Sequence, residues 1–188
     1  MHSAGKCRSR KVWPNLNLEK DSPEIKKILT EIQRLENEGY QFEAAEASFE
    51  LLVKKTLGKF KPFFEVQSVA VRSENIGGGN PMTVADVKIV AKGKEFYQAA
   101  EGDGPVNALD QAFRKALLGS YPQIESIHLT DYKVRVVNSQ AGTAAKVRVF
   151  IEFQDGDKTW TTVGVHENII EASWKALVEA IEYKLLKS

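Results

Sequence analysis

The residues able to do chemistry are few, and their spacing does not suit catalysis. The three histidines are His2, His128 and His166, and no two have metal-ligand spacing. His128 alternates with apolar residues in an extended run, and His166 sits in a turn ahead of a helical pattern. Packing or surface duty is the ordinary reading of both. The chain has no Gly-x-Ser-x-Gly, no phosphate-binding loop and no His-x-x-x-His. Its single cysteine, Cys7, lies in a basic segment, excludes an internal disulfide and suits a reducing, cytoplasmic compartment. Trp160, Trp174 and Tyr132 fit a core or an interface better than a cofactor contact. No catalytic residues and no metal site are expected in this chain.

One stretch does carry ligand chemistry. Gly102-Asp103-Gly104-Pro105-Val106-Asn107-Ala108 follows an extended run and opens a helical pattern that reaches about Leu118. Two glycines permit a turn that brings backbone close to a ligand. Pro105 suits the first helical position, where no amide donor is lost. Free amides at a helix start, with the helix dipole behind them, favour an anion such as a carboxylate. The plain alternative is a structural strand-to-helix turn. A related arrangement recurs before the last helix, where Asn168 can cap a pattern carrying Ile170, Trp174, Leu177, Ile181 and Leu185.

The elements that must hold this stretch follow from periodicity. Ser22-Pro23-Glu24 supplies a cap, a first-turn proline and an acid near the positive dipole end. Ile25, Ile28, Leu29, Ile32 and Leu35 then recur on one face until Gly39. Phe42, Ala45, Phe49, Leu52 and Val53 mark a second helix ended by Gly58, which predicts a helical hairpin. Beyond Pro62 the period changes to strands: 63–72, 82–91 and a third from 94, closed by the helix from Pro105. The order repeats with strands over 124–138, 145–153 and 159–163 and a final helix. Ala108, Ala112 and Ala116 match Ala172, Ala176 and Ala180, although pairing Ala112 with Ala172 is an alternative one turn away. Small residues on one stripe let a helix lie close to a sheet or another helix. The expected class is α+β: two βββα repeats, 62–120 and 121–188, preceded by a helical linker subdomain over 15–60. Residues 1–14 read as a tag or a disordered start.

Composition narrows the partners. The chain has 188 residues and a formal net charge of +1, which gives no case for nucleic acid or an anionic membrane surface. Its apolar runs are far too short to span a bilayer.

Longer stretches carry a resemblance. The run from Glu101 to Ala108 resembles the Gly-x-Gly-Pro-Val-Asp-Ala motif of the regulatory domain of the 2-isopropylmalate synthase family. Thr162 to Ser173 resembles that domain's second motif. Glu36 to Phe49 and Trp174 to Leu186 look most like the citramalate synthase branch. The resemblance covers about residue 15 to the end, and Asn107 stands where the motif usually has Asp.

The resemblance implies a regulatory piece of a metal-dependent acyltransferase. Such enzymes condense acetyl-CoA with a 2-oxo acid, pyruvate in the citramalate branch, in a barrel bearing His-x-His and Arg-Asp-Gly motifs, which this sequence lacks. Divalent metal and acetyl-CoA would belong to that preceding barrel, with no cofactor in this chain. The implied regulatory domain forms a homodimer and binds the end-product branched-chain amino acid, with isoleucine favoured and leucine next. Asp103, Gly104, Pro105, Val106 and Asn107 would cradle the amino acid, joined by Asn168 and Ile169 from the second helix start. By resemblance the apolar wall draws on Leu129, Tyr132 and Val136 and on the loop around Thr143.

Overall fold

The computed structural model describes residues 22–75, 77, 79, 81–137 and 145–188. Helix α1 (Pro23–Glu38) starts where Ser22 Oγ accepts from the Ile25 amide at 3.4 Å, and it stops at Gly39 with φ 108°. Helix α2 spans Glu46–Thr56, so the predicted start near Phe42 shifts inward. Phe42 and Ala45 are buried nonetheless, in the turn before the helix. Strands β1 (Phe64–Glu74), β2 (Met82–Ala91) and β3 (Lys94–Gly102) form one antiparallel sheet in that order, closed by α3 (Pro105–Leu118). Strands β4 (His128–Val136), β5 (Val147–Asp155) and β6 (Lys158–His166) form a second, closed by α4 (Ile169–Lys187). The class is therefore two βββα repeats, as the periodicity predicts.

The fourth strand is shorter than its sequence pattern suggests. Pro122 opens a single 3-10 turn through Ile124, and pairing begins only at His128. Ile124 and Ile127 are buried below the strand, so their apolar character reports core contact, not strand.

Strand register settles which residues of the repeats correspond. The pair Thr83↔Gly102 ends the first sheet as Val147↔His166 ends the second, and Ala91↔Lys94 matches Asp155↔Lys158. Gly104 therefore corresponds to Asn168, and Ala108 to Ala172. Both first strands carry a bulge at the equivalent place, with Gln67 and Thr130 the extra residues. A bulge preserves the inward apolar set on either side of the extra residue, so Val66 and Val69 lie toward the core as Leu129 and Tyr132 do.

The alanine stripes let each helix sink onto its own sheet. Ala108, Ala112, Ala116, Ala172, Ala176 and Ala180 are fully buried. On α4 the approach is close enough for strand side chains to reach helix carbonyls. Thr162 Oγ1 donates to Ala176 O at 2.8 Å, and Trp160 Nε1 donates to Ala180 O at 3.2 Å. Next along the strand, Gly164 has no room for a side chain, because a Cβ there would lie 2.0 Å from Ala172 O. The two repeats meet where Phe113 packs edge-on against Trp174, ring centres 4.6 Å apart. Arg114 ties the junction by donating to Ile124 O (3.2 Å) and Ile127 O (2.9 Å).

The linker hairpin packs on the second repeat. Ile28, Phe42, Ala45, Phe49 and Val53 form one cluster with Phe150, Val163 and Val165, on the face of the second sheet that α4 leaves free. Arg148 pins the α1–α2 connection, donating to Gly39 O at 2.5 Å and Gln41 Oε1 at 2.7 Å. Helix α2 also closes the outer edge of β6, an edge strand with unpaired amides. Glu46 Oε1 accepts from Thr161 N at 3.1 Å, and Ser48 Oγ accepts from Val163 N at 2.9 Å.

Candidate functional site

The two glycines of the opening stretch have different jobs. A Cβ on Gly102 would lie 2.4 Å from Ala108 N and 2.6 Å from Asn107 Oδ1. Gly102 is thus required by its own helix, which folds back onto the strand end. Gly104 is the helix cap with φ −170° and ψ 174°, extended backbone that any residue adopts, and a Cβ there meets nothing within 4 Å. Glycine at 104 is therefore not demanded by the fold; it leaves the helix end bare.

That end has donors to spare. The first helical bond runs from Ala108 N to Gly104 O at 2.9 Å, so the amides of Val106 and Asn107 precede the intrahelical ladder. No side chain caps them, and Pro105 occupies the first helical position. Asn107 turns inward: its Oδ1 accepts from Asp103 N at 3.3 Å and from Gln111 Nε2 at 2.8 Å. It braces the turn and leaves the amides open. The Asp103 side chain is exposed beside them. One turn along, Asp110 pairs with Arg114 Nε at 2.9 Å, while its Oδ1 is buried without a hydrogen bond. Burial pushes the Asp110 carboxyl above its usual range, opposed by the Arg114 guanidinium.

The second helix start is closed by contrast. Asn168 Oδ1 accepts from Ile170 N at 2.8 Å, and Asn168 N donates to His166 Nδ1 at 2.9 Å. Asn168 thus fills its own helix end with a side-chain oxygen. Around it lies an exposed apolar patch. Val136 stands opposite Val147, and Val147 opposite His166, so Val136 and Ile169 share one end of the second repeat. Val136 is 59% and Ile169 42% exposed, with Val134 beside them at 38%.

The remaining wall residues divide. Leu129 and Tyr132 pack against the main core, and Tyr132 Oη hydrogen-bonds Ser173 Oγ at 2.8 Å. Ser173 in turn donates to Ile169 O at 2.7 Å, which couples the wall to the first turn of α4. Sequence reading missed Ser173, because a serine beside the alanine stripe carries no signal until its partner strand is known. Thr143 lies outside the described residues. Asp103 to Asn107 thus form one group at the end of the first repeat. Tyr132, Val136, Asn168 and Ile169 gather at the end of the second, and among the described residues no hydrogen bond or ion pair joins the groups. Among the described residues, too, no group of three or more His, Cys, Asp or Glu could hold a metal ion, and no helix is long and apolar enough to cross a membrane.

The family described as the LeuA allosteric (dimerisation) domain matches residues 43–185. The chain belongs to that family. This allosteric domain is also similar to (R)-citramalate synthases. It is 51% identical over 172 residues to that of Synechocystis sp., covering 89% of this chain and 31% of the relative. It is 48% identical to that of Aquifex aeolicus, covering 92% and 33%, and 47% identical to that of Geobacter sulfurreducens, covering 93% and 33%. The LeuA-type chain thus spans about a third of the length of the curated relatives it matches.

Proposed function

We propose that this chain is the regulatory region of a citramalate synthase-like acyltransferase, pairing as a homodimer and binding a branched-chain amino acid for feedback inhibition. The parent enzyme would join acetyl-CoA to pyruvate in a divalent-metal barrel in the cytoplasm, on the way to isoleucine. The observation that carries the ligand reading is the difference between the helix starts. One is sealed by Asn168, while the other presents the Val106 and Asn107 amides past a glycine cap with open space beside it. Helix-end amides suit the effector's carboxylate. Asp103 suits its ammonium, and the patch of Val134, Val136 and Ile169 suits a branched side chain.

Calorimetric titration of the chain with isoleucine, leucine and valine tests the reading. Isoleucine is expected to bind most tightly. One methylene in an apolar pocket is worth only about 1–3 kcal/mol, so leucine should bind more weakly but measurably. Leucine binding tighter than isoleucine would move the chain to the 2-isopropylmalate branch. No heat with any of the three, from a chain that light scattering shows to be a dimer, would leave a dimerisation module without a ligand. Mixed with acetyl-CoA and pyruvate, the chain alone is expected to give no condensation product.

A further inference from the structure

The contact between the linker subdomain and the second repeat joins an apolar cluster to several polar links, among them Arg148 to Gly39 O and Lys187 to Glu50, and one polar cluster sets two carboxylates on a single cation. On α4, Glu179 and Glu182 lie one turn apart on the same side. Facing them from α2 are Ser48, 1% exposed, and Lys55. Lys55 Nζ sits 2.7 Å from Glu182 Oε2 and 4.0 Å from Glu179 Oε1. Ser48 Oγ donates to Glu179 Oε2 while accepting from Val163 N. One cation therefore serves two carboxylates, and the nearer partner of Glu179 is a neutral hydroxyl. Fully ionised, these four side chains carry a net charge of −1 in an interface where Ser48 and Glu182 are buried, Glu179 is one-quarter exposed and Lys55 reaches toward solvent.

Among the described residues, the nearby cations make their direct contacts elsewhere. Lys175, one turn back on α4, is committed to Val165 O at 3.1 Å. Lys54 and Lys187 pair with Glu50 at 3.1 and 2.7 Å. Glu46 is held by Thr161 N. Tyr40, from the α1–α2 connection, and Tyr183, one turn further on α4, are neutral phenols at ordinary pH, and burial pushes the pKa of both up. The charge is relieved in two ways: by taking up a proton, or by separating α2 from α4 so that water enters.

We propose that Glu179, Glu182, Lys55 and Ser48 form a proton-dependent latch: with Glu179 protonated the linker subdomain is held on the second repeat, and with Glu179 ionised it lifts away more readily. Burial is the leading reason that the Glu179 carboxyl stands above its usual 4.5, at about 7. The sign follows from that. Between about 4.5 and 7 the docked form keeps a proton that the released form gives up, so docking weakens as pH rises through this window. Below it both forms hold the proton, and above it neither does. The latch is tightest in acid and loosest from neutrality upward. It needs no amino-acid effector and stands or falls apart from the ligand reading.

Hydrogen exchange by NMR on the whole chain from pH 5 to 8, corrected for intrinsic rates, tests it. Protection of α2 and of the Thr161 and Val163 amides is expected to fall by up to about tenfold per pH unit toward neutrality, then level off. Protection of α3 is expected to hold. Glu179→Gln removes the titrating group and should keep α2 protection near its acid level throughout. Glu182→Gln leaves Lys55 to Glu179 alone and should shrink the fall. The Glu179 carboxyl carbon, followed in the unaltered chain, is expected to titrate near neutrality whether or not either variant folds. A Glu179 midpoint in the ordinary carboxylate range, or α2 protection that does not change with pH, overturns the latch.

Discussion

Gly104 can be replaced without strain, and this separates binding from folding at a single residue. Its backbone is extended and a Cβ meets nothing, so Gly104→Asp should fold. As a cap, Asp would accept from the helix-end amides, which relative to glycine is worth only about a few tenths of a kcal/mol to α3. The same carboxylate would fill the place of the effector's carboxylate and repel it. We expect unchanged or slightly raised thermal stability by circular dichroism with isoleucine binding lost. Isoleucine bound with unaltered affinity would return the stretch to a plain turn. Gly102→Ala should behave in the opposite way. Its methyl would press on Ala108 N, and Gly164→Ala would press on Ala172 O. Overpacking against backbone typically costs about 1–3 kcal/mol, occasionally more, and urea denaturation should report a loss of at least that order for each. The two glycines look alike in sequence. Only the path of the returning helix tells which one is sterically required.

At the scale of elements, the amphipathic helices, the strand alternation and the repeated alanine stripe are legible because local periodicity writes them directly. Long-range contact hides the rest. The start of β4 at His128 was obscured because Ile124 and Ile127 are apolar for the sake of the core below the strand. The choice between two helix registrations needed the Thr83↔Gly102 and Val147↔His166 pairs, which sequence does not print. That the Asn107 side-chain oxygen engages Asp103 N and Gln111 is likewise invisible in the sequence. The junction of the repeats gives the prediction at this scale. Phe113 is fully buried between Phe64 and Trp174. Phe113→Ala should cost roughly 3–5 kcal/mol, the usual range for a buried aromatic. Because the ring joins both repeats, they should unfold together in one transition. Two separated transitions in a calorimetric scan would show that each repeat holds its fold alone.

For the whole molecule, the asymmetry between near-identical repeats matters more than their likeness. Both have the same strand order, the same bulge and the same helix stripe, yet among the described residues the linker subdomain covers the free face of the second sheet alone. Only the first has an uncapped helix start. Duplication supplies two equivalent positions, and each difference gives one copy a separate duty. The first keeps an open polar end, and the second anchors the segment that leads away from the domain. Sequence showed the hairpin as two amphipathic helices in need of a partner. Its docking on Phe150, Val163 and Val165 depends on a strand whose both faces are apolar, and alternation alone cannot say what covers the second face.

The side chains of Glu46 and Ser48 on the outer amides of β6 have a consequence for solubility. A chain cut back to begin at residue 62 would keep both βββα repeats and lose those two acceptors. It would also bare Phe150, Val163 and Val165 beside the freed strand edge. An unpaired edge next to an apolar face is a template on which further strands can add end to end. Such a trimmed chain should bind thioflavin T and grow filaments on standing at concentrations where the full chain stays clear. In this sense the hairpin acts as a fused chaperone for its own neighbour.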